Sequence, residues 1–255
     1  MKYGYIGPGM HSGQIEQKKG RYVTGFAVGI LYSDGNNYPV IPGNVANYSS
    51  YPFPVHYKLV PCCTGKRLLN GDSSLEKRII EAALQLQSEG AKVISSVCGF
   101  SGNFQAQTAS ALNIPVYLSS LVQLNMIQIG LKPGQKIGIL TAYEKGLTDA
   151  LLKSCGITDE SNLIIGDLSK GAEFSTISNG AGAFHNDRLR NEVVSKATEM
   201  TEKHPEIGAI LLECSDLPPC AYAIQQAVQL PVFDFMTLIR WAHDANSQSP
   251  YYGFI

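Results

Sequence analysis

Two of the six cysteines in this chain stand in matched positions. Cys98 closes the run Val93-Ile94-Ser95-Ser96-Val97-Cys98, and Cys214 closes Ala209-Ile210-Leu211-Leu212-Glu213-Cys214. Each run has the apolar, β-branched character of a buried strand and is followed by a small loop and a helical pattern. Each then leads to a Pro-Val pair, and Pro115 and Pro231 both lie 17 positions beyond their cysteine. A free thiol titrates at roughly 8.5, close enough to neutrality for its surroundings to make it a base in one direction and an acid in the other. Two such groups on opposite faces of one carbon are what racemisation requires, a base to remove a proton and an acid to return one.

The elements that would position these thiols follow from the alternation of apolar runs and helical patterns, the signature of an α/β fold with mainly parallel strands. Strands are expected over Ala27–Leu31, Lys92–Val97, Pro115–Tyr117, Lys136–Leu140, Asn162–Ile165, Gly208–Leu212 and Pro231–Phe233. Helices are expected over Ser74–Glu89, Asn103–Leu112, Ser119–Gly130, Lys145–Ser154, Asp187–Lys203, Pro219–Gln229 and Met236–Ala245. A second match, Val28-Gly29-Ile30-Leu31 with Ile137-Gly138-Ile139-Leu140, lies upstream of the cysteines in the same order. Two matches in one order argue for duplicated halves. The expectation is two similar lobes related by a pseudo-twofold, with the active site in the cleft between them. An N-terminal arm over 1–20 precedes lobe 1 (21–124 with 230–255) and lobe 2 (125–229). Ligands bind outside the carboxyl ends of parallel strands, where both cysteines fall, and N–H groups of the following helices would favour a carboxylate or a thiolate there.

Composition narrows the partners. The apolar fraction of 44% and charged fraction of 16% are those of a globular chain, and a net charge of −1 gives no field to recruit nucleic acid or an anionic membrane. The basic cluster Lys18-Lys19-Arg21 is too short to alter this. No apolar run approaches the roughly 20 residues of a membrane span, and the N-terminus lacks a signal peptide's apolar segment, so a cytoplasmic, thiol-reducing location is expected. The cysteine and histidine spacings include no CxxC, HExxH or zinc-finger pattern, so no metal is expected.

At its cysteines the chain resembles the aspartate/glutamate racemase superfamily, which includes hydantoin racemases. Ser96-Val97-Cys98-Gly99-Phe100, Leu212-Glu213-Cys214-Ser215-Asp216, the loop Ile41-Pro42-Gly43-Asn44-Val45 and Phe53-Pro54-Val55 carry the resemblance, which runs from about Gly25 to Trp241. It implies an enzyme without pyridoxal phosphate or any other cofactor, an isomerase racemising an amino acid or hydantoin-like compound. One thiolate removes the α-proton and the opposite thiol returns one. The resemblance also implies a small substrate with a carboxylate and a homodimeric assembly. Asp34 resembles the acidic residue that assists one cysteine in glutamate racemases. Where the family often has Thr followed by His or Asn after its second cysteine, this chain has Ser215 and Asp216.

Further candidates for substrate binding surround the thiols: Gly99 and Phe100 after the first cysteine, Ser215 and Asp216 after the second, and Asp34, Asn44, Ser119, Ser120 and Thr141 at other strand ends and turns. Ser119, Ser120 and Thr141 would look the same as helix caps, and Asp34 and Asn44 the same as turn residues beside glycine. Cys62, Cys63, Cys155 and Cys220 read as small buried hydrophobes, and His56, His185, His204 and His243 as packing or surface residues. Two other readings stay open. One is a maleate-isomerase-like or arylmalonate-decarboxylase-like enzyme of the same superfamily; the other is a silent ligand-binding protein on the two-lobed scaffold.

Overall fold

A computed structural model describes residues 19–35 and 37–255; the arm expected over 1–20 lies almost wholly outside them, as does Lys18. The chain forms two four-stranded, all-parallel sheets. The first contains β1 (Val28–Tyr32), β2 (Val55–Leu59), β3 (Val93–Ser96) and β4 (Val116–Tyr117) in the order β2-β1-β3-β4. The second contains β5 (Lys136–Thr141), β6 (Leu163–Asp167), β7 (Ile207–Leu212) and β8 (Val232–Phe233) in the order β6-β5-β7-β8. The two orders are the same, as the internal duplication requires.

Parallel strands need a crossover, and the long helices α2 (Glu76–Glu89) and α7 (Asn186–Lys203) make the equivalent crossover in each half. Both pack over a glycine in the opening strand. A Cβ at Gly29 would meet Leu86 and Ile94 side-chain carbons at 3.0 Å, and one at Gly138 would meet the Met200 Cε at 2.7 Å. This close seat of helix on strand is why the motif Gly-Ile-Leu recurs in β1 and β5.

After each Pro-Val strand the chain changes lobes. Helix α4 (Leu124–Gly130) follows β4 but packs on β5 of the second sheet, while α9 (Phe235–Asn246) follows β8 and packs on β1 and β3 of the first. Phe235, Met236, Ile239 and Ala242 close the core over Val28, Ile30, Val93 and Val97. The crossing therefore begins at Asp234; β8, placed with the first lobe in the sequence reading, pairs with β7 in the second sheet. Two residues of strand carry too little pattern to reveal which sheet they join.

Two expected helix starts shift for local reasons, and one further strand is present. The helix expected from Ser119 is a 3-10 turn (Ser120–Gln123) capped by Ser119 before α4 proper. The helix expected from Lys145 begins only at α5 (Asp149–Ser154), where the Thr148 hydroxyl accepts from the Leu151 N–H. Strand β2 is not among the strands expected above, although His56 lies on a strand-like pattern; Val55-His56-Tyr57-Lys58-Leu59 alternates as a partly exposed strand does.

At the crossing, the Asp234 side chain accepts from the Thr237 N–H at 2.7 Å while the Thr237 hydroxyl accepts from the Asp234 N–H at 2.9 Å. Asp234 is buried, and this reciprocal cap starts the helix that covers the first sheet. Replacing Asp234 with Ala should cost about 1–2 kcal/mol of stability, measured by urea unfolding.

Candidate active site

Cys98 and Cys214 lie just past the carboxyl ends of β3 and β7, the third strands in order of their sheets. Both line one cavity of about 570 Å³ between the lobes. Each thiol is partly buried, and the amide N–H two residues on, of Phe100 in one lobe and Asp216 in the other, favours its ionised form. These paired donors favour a thiolate, but burial outweighs them. Desolvation raises both thiols, Cys98 further through the charge of Glu213 and Cys214 through Asp216 and Glu213. At rest both therefore hold their protons at neutral pH.

The surroundings of the thiols differ. The Cys214 Sγ donates to the Asp216 carboxylate at 3.5 Å, and that carboxylate also accepts from the Tyr38 hydroxyl at 3.1 Å and from the Asn44 side-chain amide. Burial raises the Asp216 carboxyl above the ordinary carboxylate range, while these three donors pull it back. Asn44 is buried behind Asp216 and anchors the loop through the Ala46 N–H, so it supports the site without lining it. Asp34 lines the cavity, but its carboxylate accepts from the Cys62 N–H at 3.1 Å and bonds to neither candidate thiol.

Phe100, Ser215 and Asp216 line the cavity. The Ser215 hydroxyl is turned away, donating to the Val97 carbonyl of the other lobe. Ser119, Ser120 and Thr141 are buried outside it. Ser120 donates to the Leu212 carbonyl at 2.9 Å, and Thr141 donates to Glu213 at 2.9 Å. Of the two readings open for these hydroxyls, the structure gives them to the protein's own backbone and side chains.

Glu213 is the residue that sequence reasoning passed over. It is fully buried, its Oε2 is held by Thr141, and its Oε1 has no hydrogen-bond partner. Burial pushes its carboxyl up to about 7. A Cβ on Gly99 would fall 1.8 Å from Oε1 and 2.5 Å from the Glu213 carbonyl oxygen, so only glycine lets the two strand-end turns meet. An acidic residue closing an otherwise apolar strand was the signal available in the sequence. Tyr38 was also missed, since nothing local ties it to a site 178 residues away.

The rest of the lining carries charges of both signs and several aromatic rings. Lys66 is the cationic side chain among the described lining residues, while Asp34 and Asp216 are acidic and Tyr38, Phe100, Tyr143 and Phe174 are aromatic. Among the described residues no group of His, Cys, Asp and Glu could hold a metal ion, and no helix is long and apolar enough to cross a membrane.

No protein-family model matches the chain. Among curated proteins it is 30% identical over 237 residues to dimethylsulfoniopropionate lyase 7 of Emiliania huxleyi, covering 89% of this chain and 69% of that one. It is 30% identical over 215 residues to the dimethylsulfoniopropionate lyase of Durusdinium sp. clade D, covering 82% and 71%. The chain belongs to the dimethylsulfoniopropionate lyase family. Solved structures with the same fold include arylmalonate decarboxylase (15% identity, 88% of this chain and 94% of the other, TM-score 0.55). Allantoin racemase of Pseudomonas fluorescens (11%, 89% and 99%, 0.55) and an aspartate racemase homologue of Pyrococcus horikoshii (17%, 87% and 99%, 0.53) share it too. The α/β fold expected from the superfamily resemblance thus holds, and the relatives are named as enzymes. The amino-acid or hydantoin racemase reading does not hold, because the relatives found at 30% identity are named as lyases. The physical reason is that the cysteine motifs specify the scaffold and its two thiols and say nothing of the molecule they would act on. Racemisation and elimination can both begin with removal of a proton beside a carboxylate, and which one follows depends on the substrate.

Two outcomes follow for this lyase-family chain. Gly99→Ala should destabilise it by about 1–3 kcal/mol through overpacking, since the backbone carbonyl at 2.5 Å cannot rotate aside; denaturant unfolding measures this. Glu213 keeps its proton to about 7 in the folded chain against 4.5 for the free side chain, so across that window the folded state holds the extra proton. Its contribution is full below the lower value and is lost as pH rises through the upper one. Glu213→Gln should remove that slope, so its stability relative to wild type should rise across the window.

Proposed function

We propose that this chain is a lyase that cleaves dimethylsulfoniopropionate, or a close β-sulfonium propionate, by elimination at the Cys98–Cys214 cavity. The observation that carries the reading is the 30% identity to lyases of that name across most of the chain. The cavity chemistry agrees with it. Asp216 takes the Cys214 proton, and the resulting thiolate removes a proton from the carbon beside the substrate carboxylate. That C–H electron pair forms the double bond to the next carbon, whose bond to sulfur breaks with its pair going to sulfur. The products are neutral dimethyl sulfide and acrylate, with one proton released to solvent through Asp216.

The lining distributes the substrate's two charges. The aromatic faces of Tyr38, Tyr143 and Phe174 and the acidic Asp34 suit a sulfonium, which attracts π-electrons without donating hydrogen bonds. Lys66 suits the carboxylate. Cys98 faces the reaction as a thiol, a hydrogen-bond donor to the charge that develops on the carboxylate as the proton leaves.

Purified protein supplied with dimethylsulfoniopropionate should release dimethyl sulfide, followed by headspace gas chromatography, with acrylate formed in equal amount by proton NMR. Cys214→Ala should lower the rate by about 100-fold or more, and Asp216→Asn should do so with the fold intact. A wild-type protein that releases no sulfide, or a Cys214→Ala variant that matches it, overturns the proposal.

A further inference from the structure

The elimination uses Cys214 and Asp216 and leaves Glu213 without a task, although it is fully buried at the lobe junction with one oxygen unpartnered. Its placement is specific. The Glu213 backbone N–H is tied to the Leu140 carbonyl, its carbonyl oxygen accepts from Ser120 at 3.3 Å, and its Oε2 accepts from Thr141 at 2.9 Å. These three ties, from both lobes, leave Oε1 against the Cα of Gly99, the residue directly after Cys98. Nothing in the packing of an apolar strand end calls for a carboxyl group there, and burying one without a partner is costly.

We propose that Glu213 is a positioning residue for Cys98, its buried negative charge holding that thiol in the protonated form in which it faces the substrate. The inference rests on the lyase reading for what the Cys98 thiol then does, but not for the electrostatic effect itself. Two thiols in one cavity are a hazard to an elimination catalyst. A second thiolate would repel the substrate carboxylate and would be a nucleophile toward the electrophilic alkene formed beside it. Glu213 lies one residue before Cys214 in sequence and against the Cys98 turn in space, so it can discriminate between them. Among the charged groups acting on Cys98 it is the foremost, whereas for Cys214 it stands behind Asp216.

The groups facing Glu213 are Cys98 from the turn after β3, Cys155 from the end of α5, and Cys214 and Asp216 from its own turn. All are acids or thiols, so ionisation of Glu213 is opposed by its surroundings and aided only by Thr141 and the Ala142 N–H. With its carboxyl pushed up to about 7, Glu213 is charged at alkaline pH, where it adds to the burial that already raises the Cys98 thiol.

The test reads the thiols directly and needs no substrate. Wild-type and Glu213→Gln proteins are treated with iodoacetamide across alkaline pH, and alkylation of each cysteine is followed by peptide mass spectrometry. The amide keeps the shape and removes the charge. The Cys98 profile should move to lower pH in the variant, with alkylation at pH 8 several-fold faster, and the change at Cys214 should be smaller. Thr141→Val, which weakens the ionised form by removing a donor, should shift Cys98 in the same direction and serves where Glu213→Gln does not fold. A folded variant whose Cys98 profile superimposes on wild type, or in which Cys214 shifts more than Cys98, overturns the proposal. Failure of the lyase assay leaves these profiles unchanged, so the two readings fail separately.

Discussion

Where β3 and β7 end, the two lobes meet through a few atoms that tolerate no substitution of shape. Ser215 of one lobe donates to the Val97 carbonyl of the other, Ser120 reaches the Leu212 carbonyl, and the Glu213 carboxyl rests on the bare Cα of Gly99. These contacts hold two strand ends from separate sheets close enough to share one cavity. The lobes exchange their last helices, α4 and α9, which fixes their relation over a wide apolar contact. The small polar seam sets the final position of the thiols; the helix exchange makes that position rigid. Rigidity matters because proton transfer depends on sub-ångström placement of base and carbon.

The same seam sets the electrostatics. The groups closest to the thiols are carboxyls and other thiols, and the negative charge of a thiolate is supported chiefly by two amide N–H groups. A resting thiolate is therefore disfavoured, so the proposed elimination requires a base generated on substrate binding. The Cys214–Asp216 pair can do this because a carboxylate raised by burial is a better proton acceptor than one in water. A cationic substrate entering such a site supplies compensating charge itself, which couples substrate binding to thiol ionisation.

Duplication explains how so compact a site arose from a simple plan. Both halves contribute a thiol at an equivalent strand end and an equivalent N–H two residues later. The halves then diverge in what surrounds the sulfur: Asp216, Tyr38 and Asn44 attend Cys214, whereas Gly99 and the intruding Glu213 attend Cys98. A symmetric pair suits a reaction that runs equally from either face. An asymmetric one suits a reaction in which one group takes a proton and the other does not.

Local sequence determined the strands β1, β3, β5 and β7, the long helices α2 and α7, and the equivalence of Cys98 and Cys214. Each of these depends on periodicity or on spacing along the chain, and close packing repeated the Gly-Ile-Leu and Pro-Val motifs in both halves. Tertiary structure alone decided that β8 stays with the second sheet, that Tyr38 and Asn44 serve Asp216, that Ser119, Ser120 and Thr141 turn inward, and that Glu213 sits on Gly99. Those relations join residues far apart in the chain through single contacts, and a single contact leaves no period to read. The proposed reaction is hidden for a related reason: a cysteine at a strand end looks the same in the sequence whichever substrate it meets.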